Sequence, residues 1–190
     1  MSPGRRLVPA HPEDPYDLDF TALAEDLPPP PPRTASPVAA DNALIGATGL
    51  GSDSFHVVVT RPQPKHATNR VVLVVEDDPP TAASVAQALK GAKYHPAIAH
   101  SPQDAARLMT KMGVPALILL NVDLPGVDGI TFLDRIRKHR RLRDTPVILF
   151  TSHSNPDDVI RGLMVGADGY LAKPVSPATL LTAVKTVLGE

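Results

Sequence analysis

The stretch VVLVVEDDPP, residues 71–80, decides the fold. Its first five residues are apolar without a break, as in a strand covered on both faces, and such strands belong almost entirely to parallel sheets sandwiched between helices. The strand runs out into three carboxylates, Glu76, Asp77 and Asp78, and Pro79 and Pro80 then open a helix. In open α/β sheets the working residues collect at the carboxyl ends of the strands. This stretch therefore supplies both a core strand and an acidic edge.

Reading outward from it, strand and helix patterns alternate to the end of the chain. Ala82, Val85, Ala86 and Leu89 have helical spacing up to Gly91, and residues 94–99 form a short strand. Ser101 and Pro102 begin a helix that carries Ala105, Leu108, Met109 and Met112 inward and stops at Gly113. Residues 117–120 are a second fully apolar strand, and a helix starts near Asp128 with Ile130, Leu133, Ile136 and Leu142 on one face. Residues 147–150 and 169–172 are further strands, separated by a helix over 156–165, and Ser176-Pro177 caps a last helix through Leu180, Val184 and Leu188. Five strands alternating with five helices predict an α/β fold with a parallel sheet covered on both faces.

The 190 residues divide unevenly around this pattern. Residues 1–69 hold 12 of the 22 prolines and only 16 large apolar side chains, against 42 in residues 70–190. The first part has too little to bury against the entropy of ordering its backbone, so the expectation is a disordered, proline-rich extension over 1–69 and one folded domain over 70–190. The prolines at 28–32 predict a stiff extended spacer. With 19 basic and 20 acidic residues the net charge is −1, and no global field argues for nucleic acid or an anionic membrane. No cysteine is present, which excludes disulfide scaffolds, thiolate metal sites and cysteine nucleophiles. Neither a spanning apolar stretch nor a secretory core is visible, so the expected location is cytoplasmic.

The strand ends bring chemistry to one edge. Besides Glu76, Asp77 and Asp78, they deliver Asn121 with Asp123 behind it, then Thr151 and Ser152, and finally Lys173 before Pro174. Carboxylate oxygens suit a hard cation such as magnesium, and a hydroxyl with an ammonium suits phosphoryl oxygens.

With these residues in place, VVLVVEDDP, LILLNVDLPGVDG, PVILFTS and GADGYLAKP together resemble the response-regulator receiver domain of two-component signalling. The resemblance covers about residues 70–190 and implies a flavodoxin-like fold with strand order 2-1-3-4-5. By the same resemblance Glu76 and Asp77 are the metal-binding acidic pair, and Asp123 offers a backbone carbonyl to the metal. Thr151 is then the switch hydroxyl, Tyr170 the switch aromatic, and Lys173 the pocket lysine before a proline often in the cis form. The implied partners are proteins, a histidine kinase or another signalling protein, with neither nucleic acid nor membrane, and no enzymatic activity is expected.

One position departs from the family's pattern. Asn121 stands where the family carries the aspartate that accepts a phosphoryl group from a kinase histidine. A carboxylate is an anionic nucleophile that forms an acyl phosphate, whereas a carboxamide oxygen is nearly non-basic. The change also removes a negative charge from the metal's surroundings, and unit charges near 4 Å interact by about 4 kcal/mol at an effective dielectric of 20. Magnesium affinity is expected to fall about tenfold or more, roughly 1.4 kcal/mol. Asn121 can still accept a hydrogen bond from Lys173, so the pocket need not collapse.

The expected function is therefore a stand-alone receiver working by protein–protein interaction, not phosphorylated at residue 121. Two alternatives stay open from the residues. The receiver could use Asp123 or another acceptor, Asp123 lying roughly 6–7 Å along an extended chain from residue 121. A flavodoxin-like nucleotide or flavin binder is the other, disfavoured because a phosphate cradle wants glycines and amide donors where this loop is acidic. Minor features read blandly: the basic run from Arg135 to Arg143 as a solvated helix end, His153 as an exposed loop residue, and residues 46–51 as linker. Within the extension, residues 14–27 mix five acids with Phe20, Leu23 and Leu27 at i, i+3 and i+7, an apolar stripe if helical, and residues 54–60 could add a strand to a sheet edge.

Overall fold

The structure, a computed structural model, describes residues 20–25, 27, 70–152 and 156–190, with 55–57 as backbone. The prolines at 28–32, the glycine-bearing segment 46–51 and His153 lie outside the described residues.

Strands β1 (Phe55–Val57), β2 (Val71–Val75), β3 (His95–Ala99), β4 (Leu117–Asn121), β5 (Asp123–Leu124), β6 (Val127–Asp128), β7 (Val147–Thr151) and β8 (Gly169–Ala172) accompany five helices. These are α1 (Pro79–Gly91), α2 (Pro102–Met112), α3 (Gly129–Lys138), α4 (Pro156–Val165) and α5 (Pro177–Leu188). The main sheet runs β1-β8-β7-β4-β2-β3, and the five strands from β2 to β8 in it are parallel. Counted without β1, that is the expected order 2-1-3-4-5.

Four of the five helix starts have a capping side chain among the described residues. Asp78, Ser101, Asp128 and Ser176 each accept a backbone N–H of the first turn, and prolines follow the cap in α1, α2 and α5. The hydrogen bonds from Thr81 hold the exposed Asp78 carboxyl below its ordinary range. The core divides into two layers, one on each face of the sheet. Val72, Val74, Leu117 and Leu119 point to the α1–α5 side, while Leu73, Val75, Ile118 and Leu120 point to the α2–α3–α4 side. Helix α3 ends at Lys138, so Leu142 reaches the core from the following turn instead of from the helix face.

The register sets the functional edge. Leu120 of β4 pairs with Val75 and Leu149, Asn121 with Phe150, and Thr151 with Ala172, so Glu76, Asn121, Thr151 and Lys173 emerge side by side. A two-residue turn at Pro125-Gly126, with Gly126 at φ 70°, folds β5 back on β6 as a small antiparallel ribbon. Sequence periodicity did not show this ribbon, because two-residue strands carry none.

Two pieces of the extension lie on the domain, which departs from a coil running through all of 1–69. Residues 55–57 add antiparallel to β8 and cap that edge of the sheet. A 3-10 turn over Thr21–Ala24 packs on α2 and α3, with Phe20 and Leu23 buried in the same layer as Ile118 and Phe132. Each such burial contributes about 1.5–3 kcal/mol, against about 1–2 kcal/mol for each residue ordered. The contact is therefore held by a few anchors.

Gly129 shows how tightly α3 meets the functional edge. A Cβ there would lie 2.3 Å from the Asn121 backbone oxygen and 2.8 Å from Val122 Cα, and backbone atoms cannot give way. Gly129→Ala should therefore destabilise the domain by about 1–3 kcal/mol in chemical denaturation.

A second test concerns the buried Tyr94, whose hydroxyl donates to Glu190 at 2.9 Å beneath the Arg70 guanidinium. Burial and then Glu190 push its pKa up to about 12. Since ionisation is disfavoured in the folded state, this stabilisation should be complete below about pH 10, the ordinary tyrosine value, and fade as the pH rises through the folded-state value. Tyr94→Phe should flatten the alkaline limb of the stability profile.

Candidate functional site

The edge residues meet around one atom. The Asn121 side-chain nitrogen, Nδ2, donates to Asp77 Oδ1 at 2.8 Å, to Glu76 Oε1 at 3.3 Å and to the Asp123 backbone oxygen at 3.3 Å. These are the three groups that the resemblance assigned to a metal, and here they surround an amide. On the other side Asn121 Oδ1 accepts the Asp123 backbone N–H at 3.1 Å. The orientation of the amide follows from its neighbours. Turned over, it would set its oxygen against two carboxylates and its N–H groups against the N–H of Asp123.

Burial makes the arrangement costly to disturb. Glu76 is 1% and Asn121 3% exposed. Glu76 Oε1 also receives the Asp78 N–H at 3.3 Å, and its other oxygen is in a salt bridge with Lys173 Nζ. Lys173 lies 4.6 Å from the centre of the Phe150 ring as well. Here the structure corrects an expectation: the Lys173 hydrogen bond goes to Glu76, not to Asn121. The carboxylate is the stronger acceptor, and Asn121 Oδ1 already has the Asp123 amide. The Lys173–Pro174 peptide is cis, as the resemblance implied.

Thr151 is fully buried and donates from Oγ1 to Asp123 Oδ2 at 2.8 Å. The Asp123 side chain thus reaches the pocket as well as its carbonyl, because the β5–β6 ribbon turns it toward β7. Tyr170 is buried in the layer beneath α4. Beside Lys173 opens a cleft of about 490 Å³ between α1 and the segment after β8, lined by Thr81, Ser84, Phe150 and Ser152.

Among the described residues, no group of three His, Cys, Asp or Glu side chains is placed to share a metal ion. The donor set gives the reason. The oxygens that would bind magnesium converge on an N–H donor, and magnesium demands oxygen ligands in near-octahedral geometry. As arranged around the amide N–H, the residues fit the ion poorly.

Several buried polar groups, some of them at the opposite edge of the sheet, escaped sequence reasoning. Asp128 caps α3, takes the Thr131 hydroxyl at 2.9 Å and forms a salt bridge with Arg161. Arg137, read from sequence as part of a solvated basic run, is largely buried and binds Asp168 Oδ2 at 2.8 Å, the Gly166 oxygen at 2.8 Å and the Thr145 oxygen at 2.8 Å. Asp168 Oδ2 also accepts the Val147 N–H, bracing the start of β7. An acid just before a strand start was the available signal. His100 Nδ1 contacts the Glu76 backbone oxygen at 2.9 Å, a tie that no motif announced.

A doubly covered parallel sheet with this acidic edge, a hydroxyl and a lysine defines a signalling receiver. Comparison with known proteins agrees: the model of the response regulator receiver domain matches residues 72–185, and the chain belongs to that family. It is 36% identical over 119 residues to the phosphate regulon transcriptional regulatory protein PhoB of Escherichia coli K12, covering 63% of this chain and 52% of that protein. It is 37% identical over 117 residues to the transcriptional regulatory protein BaeR of Escherichia coli O6:H1, covering 62% and 47%. The chain thus matches about half the length of these curated relatives. Among solved structures, the chemotaxis protein CheY4 of Vibrio cholerae superposes with a TM-score of 0.59 at 30% identity, covering 62% of this chain and 98% of that one. A response regulator from Chloroflexus aurantiacus gives 0.59 at 33% identity, covering 63% and 98%. No described helix is long and apolar enough to cross a membrane.

If the amide stands among the acids as a neutralising donor, Asn121→Asp should lower stability in the absence of divalent cations. The variant loses these hydrogen bonds and sets a third carboxylate beside Glu76 and Asp77, a cost of about 1–3 kcal/mol. Thermal unfolding in chelator should show a Tm lower by at least about 4 °C. An unchanged Tm would mean that the amide carries no such role.

Proposed function

We propose that this chain is a two-component receiver that takes no phosphoryl group on residue 121, holds magnesium weakly, and signals through protein–protein contacts without catalytic turnover. The observation that carries this reading is the Asn121 amide donating to both Asp77 and Glu76. Phosphoryl acceptance needs an anionic oxygen in line with the donor and cations to neutralise the transferred group. Here the group at residue 121 is neutral and its oxygen is tied to a backbone N–H. The lysine that would meet phosphoryl oxygens is paired with Glu76, and the Thr151 hydroxyl is spent on Asp123. The pocket is satisfied internally, which favours one fixed conformation of this edge. Its partners are then proteins that read a fixed surface, a histidine kinase or another signalling protein among them.

A second reading has one observation behind it. The Asp123 carboxylate lies in the pocket, hydrogen-bonded to Thr151, so it is a candidate substitute acceptor. Intact-mass analysis after incubation with acetyl phosphate and magnesium separates the two. The parent is expected to gain no phosphoryl mass. An adduct mapped to Asn121 would overturn the proposal, and one mapped to Asp123 would establish the second reading. Asn121→Asp should acquire a magnesium-dependent adduct and bind magnesium at least about tenfold more tightly than the parent, about 1.4 kcal/mol. Equal behaviour of the two proteins would show that the retained acids serve packing alone.

A further inference from the structure

Two features of the chain have no part in the pocket: the basic run closing α3, and the acidic-apolar segment 14–27. The structure brings residues 20–25 and 27 of the second against the end of α3 that carries the first. Phe20 and Leu23 are buried between α2 and α3, and the Phe20 ring lies 5.0 Å from the His139 ring at the end of α3. The backbone of the segment is read as well. Thr110 Oγ1 of α2 accepts the Phe20 N–H at 3.1 Å, Gln103 Nε2 donates to the Ala24 oxygen at 3.4 Å, and Arg135 of α3 donates to the Glu25 oxygen. Leu27 packs on the same layer from its edge.

This is how a groove recognises a short peptide: spaced apolar anchors set the register, and side chains from both walls take the backbone groups. Charge matches too. The segment carries Asp14, Asp17, Asp19, Glu25 and Asp26, and the α3 wall continues into Lys138, Arg140, Arg141 and Arg143. The anchors are few, so a ligand of similar quality can displace the segment. Tethering compensates in cis, because a linked segment experiences an effective concentration on the order of millimolar.

We propose that the α2–α3 groove is a binding site for acidic segments with an aromatic anchor followed by leucines three and seven residues on, and that residues 20–27 are its intramolecular ligand. A partner protein presenting that pattern docks by displacing the chain's own segment. The site is separate from the pocket at Asn121, so the fate of one proposal does not decide the other.

The test uses the full chain and a fluorescent peptide of residues 14–27. Phe20→Ala with Leu23→Ala in the chain removes the internal ligand. The peptide should then bind this variant at least tenfold more tightly than the parent, and a peptide carrying the same two substitutions should bind neither. Adding Arg135→Ala to the variant should weaken peptide binding at least threefold, and raised salt should weaken it further. Equal binding to variant and parent, or no binding to a variant that unfolds cooperatively, would overturn the proposal. Should the double variant fail to fold, Gln103→Ala with Arg135→Ala leaves the apolar anchors intact. Amide hydrogen exchange at Leu23 and Ala24 should then accelerate at least tenfold while Leu119 stays unchanged, and unaltered exchange at Leu23 and Ala24 would count against the groove.

Discussion

The side-chain amide of Asn121 organises this edge of the sheet. Two carboxylates and a backbone carbonyl face one small volume, and something there must offer positive charge or protons to them. Buried like-charged oxygens left unneutralised cost far more than a typical hydrogen bond returns. The amide supplies two N–H groups in that volume, and its oxygen closes the circuit on the Asp123 N–H. Lys173 neutralises the far side of Glu76, and Thr151 takes the free end of Asp123. Each of these side chains thereby has a partner within the protein itself.

That closure has a consequence for dynamics. A switch needs two arrangements close in free energy and a ligand that prefers one of them. In this chain the groups that would sense an incoming phosphoryl group already hold one another, and Tyr170 is packed inward. Pulling Lys173 away would strand the buried Glu76 carboxylate, and pulling Thr151 away would cost Asp123 a hydrogen bond. On the proposed reading the edge favours a single state, and a surface of constant shape suits a docking module better than a responder.

How much of this was legible in the sequence depended on the range of the interactions. Strands such as 71–75 and 117–121 announce themselves, because covering both faces demands uninterrupted apolar residues. Helix starts were legible from Ser101, Asp128 and Ser176, since caps act within three residues. The four pocket positions emerged from strand ends and a resemblance. Their partners did not: that Lys173 chooses Glu76 over Asn121 depends on side-chain reach across three strands. Arg137 looked like one charge in a basic run, yet its guanidinium binds three carbonyls and Asp168, groups up to 31 residues away in sequence. Local composition holds no record of such contacts.

The extension makes the same point with the opposite sign. Averaged over 69 residues, its apolar content argues for coil, and an average is the wrong measure for a segment that docks. Phe20 and Leu23 need only a surface that already exists, built by α2 and α3 for other reasons, so they add burial without having to nucleate a core. The stretch over 55–57 works likewise, using ladder groups that the edge strand β8 would otherwise leave to solvent. A sequence too poor in apolar residues to fold alone can still be specific in where it lands, because the folded domain supplies the partners and the segment supplies only their spacing.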